Sequence, residues 1–257
     1  MIKDLMQYSK LYIKKDLFQV IFHVTFRCNS RCSFCFNWKN IDEVKSDELA
    51  LDEINKISKK LPEFPWFLLS GGEPFLRNDI DEIIEIFCKN NKIKHITLPT
   101  NGLLTNKIAE KVESILKKCP SISLNLVLSL DGIKEKHDKI RGIKGNFNRL
   151  MQTYKLLMPL RKKYSNLAVK FNTVISNTNY KELGKIIDYV KFLKADMHTI
   201  DFIRGSPRDK YASLPPRKEI LKLIRKIQDT YNYYNGYKNL KQHLPFLTDL
   251  ARKVMIK

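Results

Sequence analysis

Residues 18–38 read "FQVIFHVTFRCNSRCSFCFNW". The first nine form an apolar, β-branched run, which predicts a buried strand over 18–26. The chain then places Cys28, Cys32 and Cys35 within eight positions, although it has only five cysteines in all. A strand that runs straight into a ligand-rich loop is the pattern to look for in the rest of the sequence.

The pattern recurs. "PWFLLSGGEP" (65–74), "KIKHITLPTNG" (92–102), "ISLNLVLSLDG" (122–132), "LAVKFNTVI" (167–175) and "MHTIDFIRG" (197–205) read as strands, most of them closing on a turn. Between them, "DELALDEINKISKKL" (47–61) has helical spacing, with Leu51, Ile54 and Ile57 on one face. "RNDIDEIIEIFCKNN" (77–91) opens with a cap-like Asn78 and continues as a helix. Further helices are expected over 104–119, 146–164, 179–195 and 216–234. Strict alternation of strand and helix implies an α/β fold with a parallel sheet and right-handed crossovers. Six such units suit a barrel-like sheet or an open doubly wound one. The expected organisation is a lead segment over 1–17, one catalytic-type domain over 18–235 and a helical tail over 236–257. In barrels the chemistry sits on the loops after the strands, and every unusual stretch here follows a strand: "RCNSRCSFC", "SGGEP", "PTNG", "SLDG" and "RGSP".

Composition narrows the class. A chain of 257 residues with 43% hydrophobic and 11% aromatic residues can bury a substantial core. No apolar run reaches the roughly 18 residues of a membrane span, and the N-terminus has no clean signal core, so the expectation is a soluble cytoplasmic protein. Cysteines that are odd in number and clustered point to metal or redox chemistry rather than a secreted disulfide framework. The 47 basic and 27 acidic residues leave a net charge of +20. That charge suits an anionic partner, but lysine recurs throughout, as in "KISKK" and "KLIRK", which equally describes a generally lysine-rich surface. Aromatics do not interleave with lysine in a nucleic-acid motif.

Three thiolates spaced by three and then two residues can converge on one metal from a single loop. A structural zinc site wants a fourth ligand, which His23, Cys88 or Cys119 would have to supply. Cys88 lies within a helical pattern and Cys119 precedes Pro120 in a turn, where small buried thiols are the ordinary reading. With three protein ligands, a [4Fe–4S] cube keeps one iron open for a substrate or cofactor.

Here the chain resembles a family. C-x3-C-x2-C after the first strand, with Phe34 before the last cysteine, is similar to the signature of the radical S-adenosylmethionine enzymes. "GGEP" (Gly71–Pro74) after the second strand, "PTNG" after the third, and "SLDG" with "KHDKIRG" (136–142) after the fourth extend the likeness over roughly residues 18–205. The last pair is similar to the branch that holds the molybdenum-cofactor cyclase and the SPASM-type peptide maturases. The resemblance implies a partial (β/α)6 TIM-like barrel. It implies one [4Fe–4S] cluster on Cys28, Cys32 and Cys35, whose open iron binds the amino and carboxylate groups of S-adenosylmethionine. Reductive cleavage there would give methionine and a 5′-deoxyadenosyl radical that takes hydrogen from a substrate.

The resemblance also distributes roles. Gly71 and Gly72 would let backbone approach a ligand, and Glu73, followed by Pro74, would accept from the cofactor's amino group. Ser129 and Arg141 suit its carboxylate. Thr100 and Asn101 would line the ribose, Phe36 the adenine. Asn172 and Arg204 are candidates for contacts from the fifth and sixth strands. Each has a plainer reading: a tight turn for the glycines, a solvated carboxylate for Glu73, a turn cap for Ser129, a surface arginine for Arg141, a satisfied core hydrogen bond for Asn172. Asp131 with Gly132 reads as turn chemistry.

An acidic electron donor such as flavodoxin or ferredoxin is the expected protein partner, docking where Arg27, Arg31 and Lys39 cluster. The substrate is not legible; peptides and biosynthetic precursors are favoured, with lipids and RNA also known in the family. The alternative from a different class is a non-catalytic zinc or iron–sulfur module with a basic RNA-binding surface. No cysteine follows Cys119, so a single cluster is expected for the chain as given.

Overall fold

A computed structural model of the chain describes residues 17–42 and 48–235. The expected lead segment, apart from Leu17, and the expected helical tail lie outside those residues. Strand and helix alternate as the apolar spacing predicts. The strands are β1 (Gln19–Thr25), β2 (Trp66–Gly71), β3 (His95–Thr100), β4 (Ser123–Ser129), β5 (Leu167–Ile175) and β6 (Met197–Phe202). The helices are α1 (Trp38–Asp42), α2 (Leu51–Lys60), α3 (Ile80–Asn91), α4 (Thr105–Lys118), α5 (Glu135–Arg141), α6 (Asn146–Lys163), α7 (Leu183–Phe192) and α8 (Arg217–Asn235). The six strands are hydrogen-bonded in sequence order, β1 to β6, in one sheet. This is the α/β arrangement of the partial (β/α)6 barrel, with parallel pairing along β1–β2, β2–β3 and β5–β6.

Buried positions alternate with more open ones in β2 to β6, and each of these strands therefore has one face in the core. At the edge of the six-strand sheet, β1 is not the buried strand its apolar run predicts, since only Val24 and Thr25 are buried and Ile21 is 58% exposed. In β4 Leu124, Leu126 and Leu128 are buried while Ser123, Asn125, Val127 and Ser129 are partly open. In β5 the buried set is Leu167, Val169, Phe171, Thr173 and Ile175. No helix among the described residues is long and apolar enough to cross a membrane.

The described residues divide into two compact units: 17–29, 40–42, 48–127 and 149–168 form the first, and 30–39, 128–148 and 169–235 the second. In the first, an aromatic group of Phe64, Phe67 and Phe87 packs with centroids 4.4–6.2 Å apart. In the second, Ile175, Ile200, Leu183, Ile187, Leu223 and Ile227 join one buried cluster.

Two further local expectations change. Ile57 is 42% exposed, so the buried stripe of α2 rests on Ile54 and Ser58 instead. Ser58 is held there because its hydroxyl meets Asn91 Oδ1 at 2.5 Å. Asn78 does not cap α3; Asp79 occupies that position, and Asn78 Oδ1 accepts from Lys107 Nζ at 2.7 Å.

Candidate active site

In the first unit the β1–β2 ladder is regular from Gln19↔Trp66 to His23↔Ser70 and then shifts between His23 and Thr25. Beyond the shift the "GGEP" turn crosses the chain leading into Cys28. Gly72 N–H donates to the Thr25 carbonyl at 2.7 Å, and Glu73 N–H to the Arg27 carbonyl at 2.8 Å. A Cβ on Gly71 would stand 2.1 Å from the Thr25 oxygen, and one on Gly72 would stand 2.1 Å from the Arg27 oxygen. The room the two glycines provide is therefore filled by residues 25–27, whatever else approaches them.

Glu73 is 1% exposed, which rules out a solvated turn carboxylate. Its Oε1 accepts from Thr100 Oγ1 at 2.8 Å and from Phe75 N–H at 3.3 Å, and its Oε2 accepts from Asn101 N–H at 2.7 Å. Pro74 opens the 3₁₀ turn Pro74–Leu76 that Glu73 caps. Asn101 Nδ2 then donates to Asn29 Oδ1, next to Cys28, at 2.7 Å. The family resemblance assigns Thr100 and Asn101 to a ribose. The structure adds a role that no motif signals: both hold Glu73, and Asn101 ties that carboxylate to the cysteine loop. Arg27, one member of the expected basic patch, forms two hydrogen bonds to Glu48 at 2.7 and 2.9 Å.

In the second unit Cys32 and Cys35 are joined by a tight turn, Cys35 N–H donating to the Cys32 carbonyl at 3.2 Å. Two neighbours fix this segment. Arg31 and Ser33 N–H groups donate to the carbonyls of Arg141 and Ile140 at 3.0 and 2.9 Å. Arg208 and Asp209 N–H groups donate to those of Cys35 and Ser33 at 3.1 and 2.8 Å. Cys32 also packs on the apolar group of Phe34, Ile140, Ile203 and Ala212. Burial pushes both thiols up, and Arg141 opposes the rise.

Arg141 is buried rather than a surface arginine, and it is ion-paired with Asp131. Its Nε is buried without a hydrogen-bond partner. Asp131, read from sequence as turn chemistry, is the residue most clearly missed. It is 0% exposed, and burial pushes its carboxyl up while Arg141 pulls it back. The stretch from Asp131 to Arg141 spans a turn and α5, so no local spacing signals the pair. His137 is likewise buried; it accepts from Asp131 N–H at Nδ1 and its Nε2 meets Asn146 Oδ1 at 2.8 Å. Burial holds its pKa down at about 3.

The remaining candidates all lie in the second unit. Ser129 is half-buried at the end of β4. Asn172 donates from Nδ2 to Asp201 Oδ2 at 3.2 Å, while its Oδ1 is buried without a partner, so it is not a satisfied core hydrogen bond. Phe36 is 48% exposed, with the Arg204 guanidinium 5.0 Å from its ring centroid.

The fit to an iron–sulfur cluster and S-adenosylmethionine rests on chemistry. Cys28, Cys32 and Cys35 supply three thiols outside any disulfide, the soft donor set that such clusters take. The buried Arg141 Nε–H lacks an acceptor, as a carboxylate ligand would supply, and the Asn172 oxygen lacks a donor. Among the described residues no three His, Cys, Asp or Glu side chains form a preformed cage; Cys28 belongs to the first unit, Cys32 and Cys35 to the second.

Known proteins resemble the chain in both sequence and fold. A probable GTP 3′,8-cyclase of Methanococcus maripaludis strain C6 is 31% identical over 208 residues, covering 77% of this chain and 64% of that protein. The GTP 3′,8-cyclase of Clostridium perfringens strain 13 is 31% identical over 209 residues, covering 79% and 60%. The chain thus spans less than two thirds of the length of these curated relatives. Among solved structures, anSMEcpe with bound AdoMet aligns over 86% of this chain and 62% of that one, with a TM-score of 0.65 and 23% identity. Streptococcus suis SuiB bound to S-adenosylmethionine aligns over 88% and 51%, with a TM-score of 0.63 and 20% identity. Both of these are likenesses of fold. Residues 22–190, about two thirds of the sequence and every motif described above up to β5, match the radical SAM superfamily, and the chain belongs to it.

Proposed function

We propose that the protein is a radical S-adenosylmethionine enzyme acting on a biosynthetic precursor, with Cys28, Cys32 and Cys35 holding one [4Fe–4S] cluster. The observation that carries this reading is the set of three cysteines, none in a disulfide, on the loop after β1 in a chain of this family. When bound, the cluster and S-adenosylmethionine supply a carbon-centred radical that removes hydrogen from a substrate. The chain's own residues place and shield them. Glu73, oriented by Thr100 and Asn101, offers a fixed carboxylate to the cofactor's ammonium. Arg141 offers its unpartnered Nε–H, and Ser129 its hydroxyl, to the carboxylate. Phe36 under Arg204 offers an aromatic face to the adenine. Asn172, with its buried free oxygen on the open face of β5, takes a polar group of the cofactor or substrate.

The relatives named GTP 3′,8-cyclase favour a small precursor over a peptide. In the second unit Arg31 and Lys39 are exposed beside the cysteine turn, which suits an acidic electron donor. Donor-driven turnover should then slow steeply between about 10 mM and 1 M salt, where the screening length falls from roughly 30 Å to 3 Å. The test of the activity is 5′-deoxyadenosine formation by anaerobic, dithionite-reduced protein given S-adenosylmethionine. Cys32→Ala should abolish it. Fully loaded wild-type protein that makes none overturns the reading.

A further inference from the structure

One guanidinium in the second unit meets three partners at once. Arg141 closes α5, where Gly142 takes a φ of 70° and lies so near Arg31 that a Cβ would stand 2.6 Å from its carbonyl oxygen. One terminal nitrogen of Arg141 is paired with Asp131 Oδ2. The other directs its hydrogen at Cys32 Sγ, 3.6 Å away. Its central carbon, Cζ, lies over the Phe34 ring, 5.4 Å from the centroid. The group is only 7% exposed, so water competes little for these contacts.

Asp131 is itself tied down by hydrogen bonds. Its Oδ1 accepts from Val174 N–H at 2.8 Å, its carbonyl accepts from Asn179 Nδ2 at 2.9 Å, and its N–H donates to His137. A carboxylate fixed in this way can hold an arginine fork in one orientation. The backbone bonds from Arg31 and Ser33 to the end of α5 bracket Cys32, so sulfur and guanidinium are located by the same short segment.

We propose that Arg141, positioned by Asp131, donates a charge-assisted hydrogen bond to the Cys32 sulfur when that sulfur ligates iron, and so raises the cluster's reduction potential. This rests on the iron–sulfur reading above. Hydrogen bonds to ligand sulfurs and nearby positive charge stabilise the added electron of the reduced cluster, and such outer partners tune a metal centre without touching it. Lysine cannot reproduce the effect in full, because it lacks the planar fork that engages Asp131 and sulfur together.

The test is a redox titration of the anaerobically reconstituted cluster followed by electron paramagnetic resonance, without S-adenosylmethionine, so that cofactor binding plays no part. At a fixed potential Arg141→Met should lower the reduced-to-oxidised ratio about tenfold, about 59 mV for a one-electron couple. Arg141→Lys should lower it less. In an Asp131→Asn background the Arg141→Met effect should fall below half its size, since the guanidinium is no longer aimed. A purely structural role would alter unfolding while leaving the ratio unmoved. An unchanged ratio in Arg141→Met, or in Arg141→Lys where the methionine variant fails to fold, overturns the proposal. A full Arg141→Met effect in the Asp131→Asn background overturns the positioning role. Wild-type protein that assembles no cluster overturns the iron–sulfur reading, and this inference with it.

Discussion

The Oε2 atom of Glu73 accepts the backbone N–H of Asn101 at 2.7 Å, across 28 residues of sequence. With Thr100 Oγ1 donating to the other oxygen, this carboxylate joins the ends of β2 and β3 into one hydrogen-bonded unit. Glu73→Gln places an amide N–H or a weaker acceptor against buried donors. It should destabilise the protein by about 1–3 kcal/mol in denaturant unfolding and weaken S-adenosylmethionine binding. Stability within about 0.5 kcal/mol of wild type would show that the carboxylate is not needed to hold the turn.

Gly72→Ala should destabilise by about 2 kcal/mol or more, because the new Cβ meets the Arg27 carbonyl at 2.1 Å and one backbone segment must move. Gly184→Ala is the control. Its Cβ would meet only Lys226 Nζ at 3.5 Å within a helix, so stability should hold or rise by up to about 1 kcal/mol. Equal effects at both sites in thermal unfolding would refute the close-crossing account.

The contrast between these glycines illustrates what the sequence reveals. Strands and long helices are legible in it, because β-branched runs and helical apolar spacing act locally. The cysteine loop and "GGEP" are legible as motifs. The physical reason for the glycines is not, since it depends on backbone from residues 25–27 arriving at 71 and 72. The pairing of Asp131 with Arg141 is hidden for the same reason: it depends on how a turn and α5 fold back, which no spacing rule encodes. The expectation for Ile57 fails because a single strip of helical spacing does not say how wide the covered face is.

His137 and His198 should make stability fall with acid. Burial pushes both to about 3, well below the usual histidine value. The unfolded chain binds protons that the folded one refuses, so stability is full above about pH 6.5 and declines toward pH 3. Each histidine contributes a slope of up to about 1.4 kcal/mol per pH unit. His198→Gln should flatten the dependence between about pH 6.5 and 5. An unchanged slope would mean that His198 does not stay neutral in the fold.

The most direct measurement is the electron paramagnetic resonance spectrum of the dithionite-reduced, anaerobically reconstituted protein, with and without S-adenosylmethionine. A single [4Fe–4S] cluster corresponds to about four irons per chain. Ligation by this cysteine triplet requires a reduced-cluster signal that changes shape when S-adenosylmethionine is added, and loss of both signal and iron in the Cys28/Cys32/Cys35→Ala variant. A colourless protein that binds zinc, or a cluster signal that S-adenosylmethionine leaves unaltered, would contradict it.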